Sequence, residues 1–267
     1  MNILDKIVLT KREETERQKR IFPIEKLTTA PYYNRSCNSL KEALRKTGAS
    51  GIIAEFKQKS PSKGAINPGA RVEVVTQGYV EAGASGLSVL TDAEYFGGSL
   101  DNLVKAREVN PVTPLLRKDF IIDIYQVEEA KANGADVILL IAACLEKEEI
   151  ETLAARAKKL GMEILLEIHD ETELLKVTPL VDLVGVNNRN LKTFTVDIET
   201  SVRLAGQIPG SFVKVTESGL SSAQDIRQLR SSGYQGFLIG ETFMKTADPG
   251  KACRELITGI HDLTDLK

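Results

Sequence analysis

Glu55 and Lys57 stand two residues apart at the end of an apolar run, Ile52-Ile53-Ala54-Glu55-Phe56-Lys57. In a strand, residues i and i+2 share a face, so a carboxylate and an ammonium point the same way. Burying such charges is costly unless they are paired or used, which makes them candidates for chemistry. The design recurs downstream. Pro114-Leu115-Leu116-Arg117-Lys118-Asp119-Phe120 carries Lys118, and Glu163-Ile164-Leu165-Leu166-Glu167-Ile168-His169 carries Glu167. Lysines and glutamates on three strand ends can supply acid, base and charge stabilisation to a carbonyl or imine in one pocket.

The elements that must position these groups follow from the hydrophobic pattern. Eight β-rich runs are expected at about 52–57, 86–91, 114–120, 137–142, 163–169, 183–188, 213–217 and 236–239. Amphipathic stretches such as Glu146 to Leu160 and Ala223 to Ser232 separate them, with apolar residues at helical spacing. Strands joined by crossover helices must be parallel, and eight repeats favour closure into a (β/α)8 TIM barrel over an open doubly wound sheet. No Gly-x-Gly-x-x-Gly fingerprint follows the first strand to support the open sheet. Residues 1–48 form an expected N-terminal helical extension, with Ile3, Leu4, Ile7 and Val8 at helical spacing, breaks at Pro23 and Pro31, and a short helix from Leu40 to Lys46. A cap on the barrel bottom or side and a lid over its mouth both remain open for it. Residues 49–267 form the barrel, within a single structural domain overall.

In such a barrel the reacting groups come from the C-terminal strand ends and the loops after them. Lys57, Lys118, Glu167, Asn187, Arg189, Glu217 and Ser218 all fall there. Alternation puts Glu55, Lys57, Lys118, Glu167, Asn187 and Arg189 on the face that converges on the mouth, and Phe56, Arg117 and Asp119 on the other. A structural ion-pair network at the rim is the competing interpretation. The loop Gln58-Lys59-Ser60-Pro61-Ser62-Lys63-Gly64 is rich in donors, and Gly219 and Gly240 end the seventh and eighth strands, where small residues let backbone N–H groups approach a phosphate. His169 shares the Glu167 face and reads as a hydrogen-bonded loop residue before a catalytic one.

A formal net charge of −2 spread along 267 residues leaves no basic stripe for nucleic acid. No apolar run approaches a spanning helix or signal peptide, so a cytoplasmic enzyme without membrane contact is expected. Cys37, Cys144 and Cys253 are widely spaced and read as reduced thiols. With only His169 and His261 as imidazoles, a histidine-based metal site is not expected. No organic cofactor is expected either.

The blocks Ile53-Ala54-Glu55-Phe56-Lys57-Gln58-Lys59-Ser60-Pro61-Ser62, Tyr95-Phe96-Gly97-Gly98-Ser99, Leu116-Arg117-Lys118-Asp119-Phe120, Leu166-Glu167-Ile168-His169, Gly185-Val186-Asn187-Asn188-Arg189-Asn190-Leu191, Thr216-Glu217-Ser218-Gly219 and Phe237-Leu238-Ile239-Gly240-Glu241 closely resemble, in order, the signature of the indole-3-glycerol phosphate synthase family. The resemblance implies ring closure, decarboxylation and dehydration of 1-(2-carboxyphenylamino)-1-deoxyribulose 5-phosphate, a small anionic substrate of tryptophan biosynthesis. It implies Lys118 as general acid, Glu167 as the carboxylate for later proton removal, Lys57 as second cation oriented by Glu55, and Asn187, Arg189, Glu217 and Ser218 as pocket residues. Phe96, Phe120 and Leu139 would contact the aromatic ring; Ser60, Gly219, Gly240 and Glu241 would complete the phosphate site. Association with other tryptophan-pathway enzymes is left open by the resemblance. Gln58 stands where many relatives carry a basic residue. Two other functions compete: a silent barrel that binds a phosphorylated metabolite, and another barrel enzyme such as a sugar-phosphate isomerase.

Overall fold

The computed structural model describes residues 3–191 and 193–262. Eight parallel strands close into a barrel in which each pairs with the next and the last pairs with the first. They are β1 (Ile52–Phe56), β2 (Gly86–Leu90), β3 (Leu115–Lys118), β4 (Val137–Ile141), β5 (Glu163–Ile168), β6 (Leu183–Asn187), β7 (Val213–Glu217) and β8 (Gly236–Ile239). The open sheet is thereby excluded. Among the described residues no helix is long and apolar enough to cross a membrane.

Alternation along the strands divides the core into two layers. Ile53, Leu116, Leu139, Leu165, Val215 and Leu238 form the inner cluster, while Ile52, Ala54, Phe56, Leu140, Leu166 and Phe237 pack outward with the surrounding helices. Two positions on from the inward residues lie Glu55, Lys118, Glu167 and Glu217. The apolar layer therefore forms the floor beneath the charges. Removing these side chains from water supplies the main stabilisation, on the order of 2 kcal/mol for each large aliphatic residue.

The expected repeat of strand then helix departs once. The connection from β5 to β6 holds only a 3-10 turn, Glu173–Lys176. Pro179 follows three residues later, and a proline restricts its predecessor away from helical backbone as well as lacking an N–H. The loop after β1 is also more ordered than a simple turn: Lys59–Ser60 and Gly64–Ala65 form a two-stranded antiparallel pair. Gln58 braces it, its side-chain amide donating to the Pro68 and Ala70 carbonyls.

The N-terminal segment acts at both ends of the barrel. Helix α1 (Ile3–Ile21) stops before Pro23, α2 is Ile24–Leu27, and α3 is Leu40–Arg45. Leu40 and Leu44 of α3 join the inner cluster and plug its bottom. Ser39 caps α3 by accepting from Glu42 N, and the Glu163 carboxylate at the start of β5 accepts the Leu40 and Lys41 N–H groups. These bonds satisfy otherwise orphaned donors and put negative charge at the positive end of a helix. At the other end, Ile3, Leu4 and Ile7 line the mouth.

Lys11 anchors α1 there. Its ammonium lies 2.9 Å from Asp92 and 3.1 Å from Asp119, with all three side chains at most 5% exposed. Arg117 faces away from the mouth and is bonded to Asp119 and Glu129, while Asp119 reaches the edge of the mouth lining. Lys11→Ala would leave Asp92 buried without its cation and Asp119 with Arg117 alone, and should cost about 3–5 kcal/mol. Lys19→Ala, which frees Asp123 and Glu16 in a partly exposed cluster, should cost about 1 kcal/mol or less. Urea unfolding of both variants measures the contrast, and equal losses would show that Lys11 is not the anchor.

Candidate active site

One cavity at the C-terminal mouth is lined by Glu55, Lys57, Ser60, Phe96, Lys118, Phe120, Leu139, Glu167, Asn187, Arg189, Glu217, Ser218, Gly219, Gly240 and Glu241. These are all the candidate residues read from the sequence. Register explains part of the convergence: Asn187 pairs with Glu217, and Glu167 with Gly185, across adjacent strands. Gly185 is small because a Cβ there would press on Leu165 of the inner floor.

Lys118 is the centre of the charge arrangement. Its Nζ lies 3.2 Å from Glu167 Oε2 and 3.1 Å from Glu217 Oε2. Burial pulls the lysine pKa down, but the two carboxylates outweigh it and hold the ammonium form above its ordinary range. Glu167 feels the opposite balance: burial raises its pKa, and Lys118 with His169 brings it well below the usual carboxylate value. Glu217 is pushed up to about 8 by burial and by the neighbouring Glu167 charge. The cluster therefore pushes its two carboxyl groups apart, Glu167 toward the carboxylate and Glu217 toward the acid form. Such separation of two carboxyl groups is how one site holds both a base and an acid.

Lys57 forms a second pair, 2.7 Å from Glu55 Oε1. Glu55 is backed by Gly240, where a Cβ would collide with the Glu55 carboxylate. Gly240 thus serves the Glu55–Lys57 pair as well as leaving backbone open at the rim. Asn187 donates to Glu167 Oε1 at 3.1 Å and accepts from Arg189 N at 2.9 Å, so its amide has one satisfied orientation. The Arg189 guanidinium and Lys63 ammonium each approach Glu241 at 3.9 Å.

An apolar wall faces these charges. Phe96 and Phe120 lie with ring centroids 6.0 Å apart, close to Leu139 and Ile141 on the cavity lining. Both rings are set by the Lys11 network. Asp92 Oδ1 accepts from Phe96 N, and Asp119 Oδ1 accepts from Phe120 N, at 3.1 and 2.8 Å. Sequence reasoning missed Lys11 and Asp92 because their contacts are distant along the chain. It missed Asn188 too, a buried side chain that donates to the Ser218 carbonyl and so shapes the end of β7. Ile3, Leu4 and Ile7 were legible as a helix face, but nothing local pointed that face at the mouth.

At the remaining edge, Ser218 and Gly219 are consecutive residues with φ of 70° and 81°. Ser60 adds a buried hydroxyl without a hydrogen-bond partner among the described residues. Unpartnered buried donors beside open backbone suit an oxyanion such as phosphate. Among the described residues no group of three His, Cys, Asp or Glu side chains is arranged to hold a metal ion.

Fold and site together define an enzyme of the (β/α)8-barrel class with acid–base groups on its mouth. Solved structures share this fold at low identity: the tryptophan synthase alpha subunit of Legionella pneumophila matches with a TM-score of 0.62 at 13% identity, covering 87% of this chain and 100% of that one. The 3-hexulose-6-phosphate synthase of Salmonella typhimurium matches at 0.63 and 12%, covering 79% and 99%. The sequence comparisons are more specific. The family model for indole-3-glycerol phosphate synthase matches residues 4–256. A relative of that name from Bacteroides thetaiotaomicron is 49% identical over 97% of this chain and 99% of its own length. Another from Neisseria meningitidis serogroup B is 46% identical over 92% and 96%. The chain belongs to the indole-3-glycerol phosphate synthase family, decarboxylating lyases of tryptophan biosynthesis.

Gly219→Val tests the anion edge. A Cβ at Gly219 would strike Val196, and φ of 81° disfavours a side chain. The rim backbone must shift, so the variant should lose about one charge-assisted hydrogen bond, roughly 1.5–3 kcal/mol, raising KM about 10- to 100-fold. Inorganic phosphate should compete with substrate in the parent and much less in the folded variant. Equal inhibition constants would remove Gly219 from the anion site.

Proposed function

We propose that this chain converts 1-(2-carboxyphenylamino)-1-deoxyribulose 5-phosphate to indole-3-glycerol phosphate, carbon dioxide and water, with the mouth residues in the following roles. The observation that carries the assignment of roles is the Lys118 ammonium between Glu167 and Glu217, opposite the Phe96–Phe120 wall. The substrate needs an apolar surface for its ring, a cation at its ketone and carboxylate, and an anion edge for its phosphate. The lining of this cavity offers side chains suited to each.

Lys118 gives a proton to the ketone oxygen while the ring carbon bearing the carboxylate attacks the carbonyl carbon. The new carbon–carbon bond closes the five-membered ring and converts the ketone oxygen to hydroxyl. Lys57 holds the substrate carboxylate, or shares the acid role, with Glu55 orienting it. Departure of carbon dioxide leaves its bonding electrons to restore the aromatic ring. The hydroxyl then takes a proton from Lys57, in its shared acid role, and leaves as water, while Glu167 takes the proton from the adjacent carbon to complete the indole. Preorganised charges assist these steps because water is excluded from the barrel floor.

Phe96, Phe120 and Leu139 hold the aromatic ring in this scheme. Ser60, Gly219, Gly240 and Glu241 receive the phosphate, the last through its backbone N–H. Asn187 and Arg189 fix the geometry around Glu167, and Glu217 with Ser218 completes the wall. A cytoplasmic location and association with other enzymes of the pathway belong to the same proposal.

Incubating the purified protein with this substrate while recording indole absorbance tests the activity. Absence of product would return to contention both phosphate binding without turnover and another barrel enzyme such as a sugar-phosphate isomerase. Within the same assay, Lys118→Ala should lower kcat by roughly 10²- to 10⁴-fold, the range for loss of a positioned acid. A folded variant with near-normal kcat would remove Lys118 from the mechanism.

A further inference from the structure

The imidazole of His169 is enclosed by carboxylates on both edges. Nε2 lies 3.3 Å from Glu167 Oε1, and Nδ1 lies 3.2 Å from Glu173 Oε2. Glu173 Oε2 also accepts the His169 backbone N–H at 2.8 Å, so it fixes both the ring and the chain that carries it. Ionised carboxylates only accept hydrogen bonds, and a neutral imidazole has one donor. A neutral ring here would aim a lone pair at a carboxylate oxygen. A doubly protonated ring instead donates from Nδ1 to Glu173 and sets its positive charge 3.3 Å from Glu167 Oε1, although Nε2 makes no well-formed hydrogen bond there.

Other charges do not alter that conclusion. Glu167 faces Lys118 from β3, Glu217 from β7 and the neutral Asn187 amide from β6. His169 also acts on Asp170 in the following loop. Cys144 lies in the field of Glu167 and Glu173, as well as Asp5 and Lys176, and its thiol is pushed up to about 12, chiefly by burial. It remains neutral. For His169 itself, burial lowers the pKa, but the bonds to Glu167 and Glu173 raise it to about 10.

We propose that His169, clamped by Glu173, is a positioning residue that keeps Glu167 ionised and aimed at the reacting ring through the positive charge it holds 3.3 Å from Glu167 Oε1. This rests on the reading of Glu167 as the base. Lys118 alone cannot perform the task throughout the reaction, because in that scheme it gives up its proton to the ketone oxygen. A second, permanent cation on the other oxygen of Glu167 keeps the carboxylate available for the later proton removal. Glu173 in turn supplies the counter-charge that keeps the imidazole protonated.

The sign of the effect follows. Removing the imidazolium withdraws a positive charge from beside Glu167 and raises its pKa, so the acidic limb of kcat/KM should move to higher pH. For an opposite charge at this separation the shift is about one to three units. His169→Ala should also lower kcat about 10- to 100-fold through misplacement of the base, with a smaller change in KM. His169→Gln offers an N–H without charge, so it should recover part of kcat while the acidic limb stays displaced. Restoration of both by glutamine, or an unmoved limb in the alanine variant, would overturn the proposal.

A second arm does not depend on turnover. His261→Gln leaves His169 as the only histidine in the chain. Its ring-nitrogen NMR shifts at pH 7.5 should be those of an imidazolium, and Glu173→Gln should move them toward the neutral form. Neutral shifts in the otherwise unaltered protein would overturn the proposal even if indole forms. Lack of indole formation by the parent would instead count against the proposed reaction, leaving the NMR arm to report on the imidazole.

Discussion

The constraint on which the mouth depends is the burial of several like charges on one barrel layer. Glu55, Glu167 and Glu217 are each under 5% exposed, at neighbouring positions around the top of the inner core. Three bare carboxylates could not be held together away from water. Lys118 is shared by two of them, Lys57 takes the third, and burial beside Glu167 pushes the Glu217 pKa up. What compensates the charges in the resting site is also what a substrate with a ketone and a carboxylate can draw upon.

The strand that presents Lys118 shows how closely support and chemistry are interleaved. On its opposite face, Arg117 and Asp119 tie β3 to the surrounding layer and, through Lys11, to α1. Asp119 and Asp92 carry this tie back into the cavity by holding the backbones of Phe120 and Phe96. The first helix therefore does more than cover the mouth. Its lysine couples the placement of the aromatic wall to the packing of the N-terminal segment, while Leu40 and Leu44 of the same segment close the opposite end.

Much of this was legible in the residues because β-structure has a period of two. Ile53, Leu116 and Leu165 each stand two positions before a charge that reaches the mouth, so one alternation specified both the inner layer and Glu55, Lys118 and Glu167. Glycines at 219 and 240 were legible as open backbone, although the collision of a Cβ at 240 with Glu55 required coordinates. Contacts between distant segments left no such trace: Lys11 to Asp92, Asn188 to Ser218 and Glu163 to α3 obey no local period. His169 and Glu173 were closer to detection, four residues apart after a strand, but a helix was the expected element there and Pro179 limits it to one turn.

The most direct test is a crystal structure with a substrate analogue whose ketone is reduced to an alcohol, so that the ring cannot close. The account predicts the alcohol oxygen within hydrogen-bond distance of Lys118 Nζ, the ring against Phe96 and Phe120, and the phosphate at Ser60 and the backbone of Gly219 and Glu241. A complex in which Lys118 keeps both carboxylates, with the alcohol bound elsewhere, would contradict it.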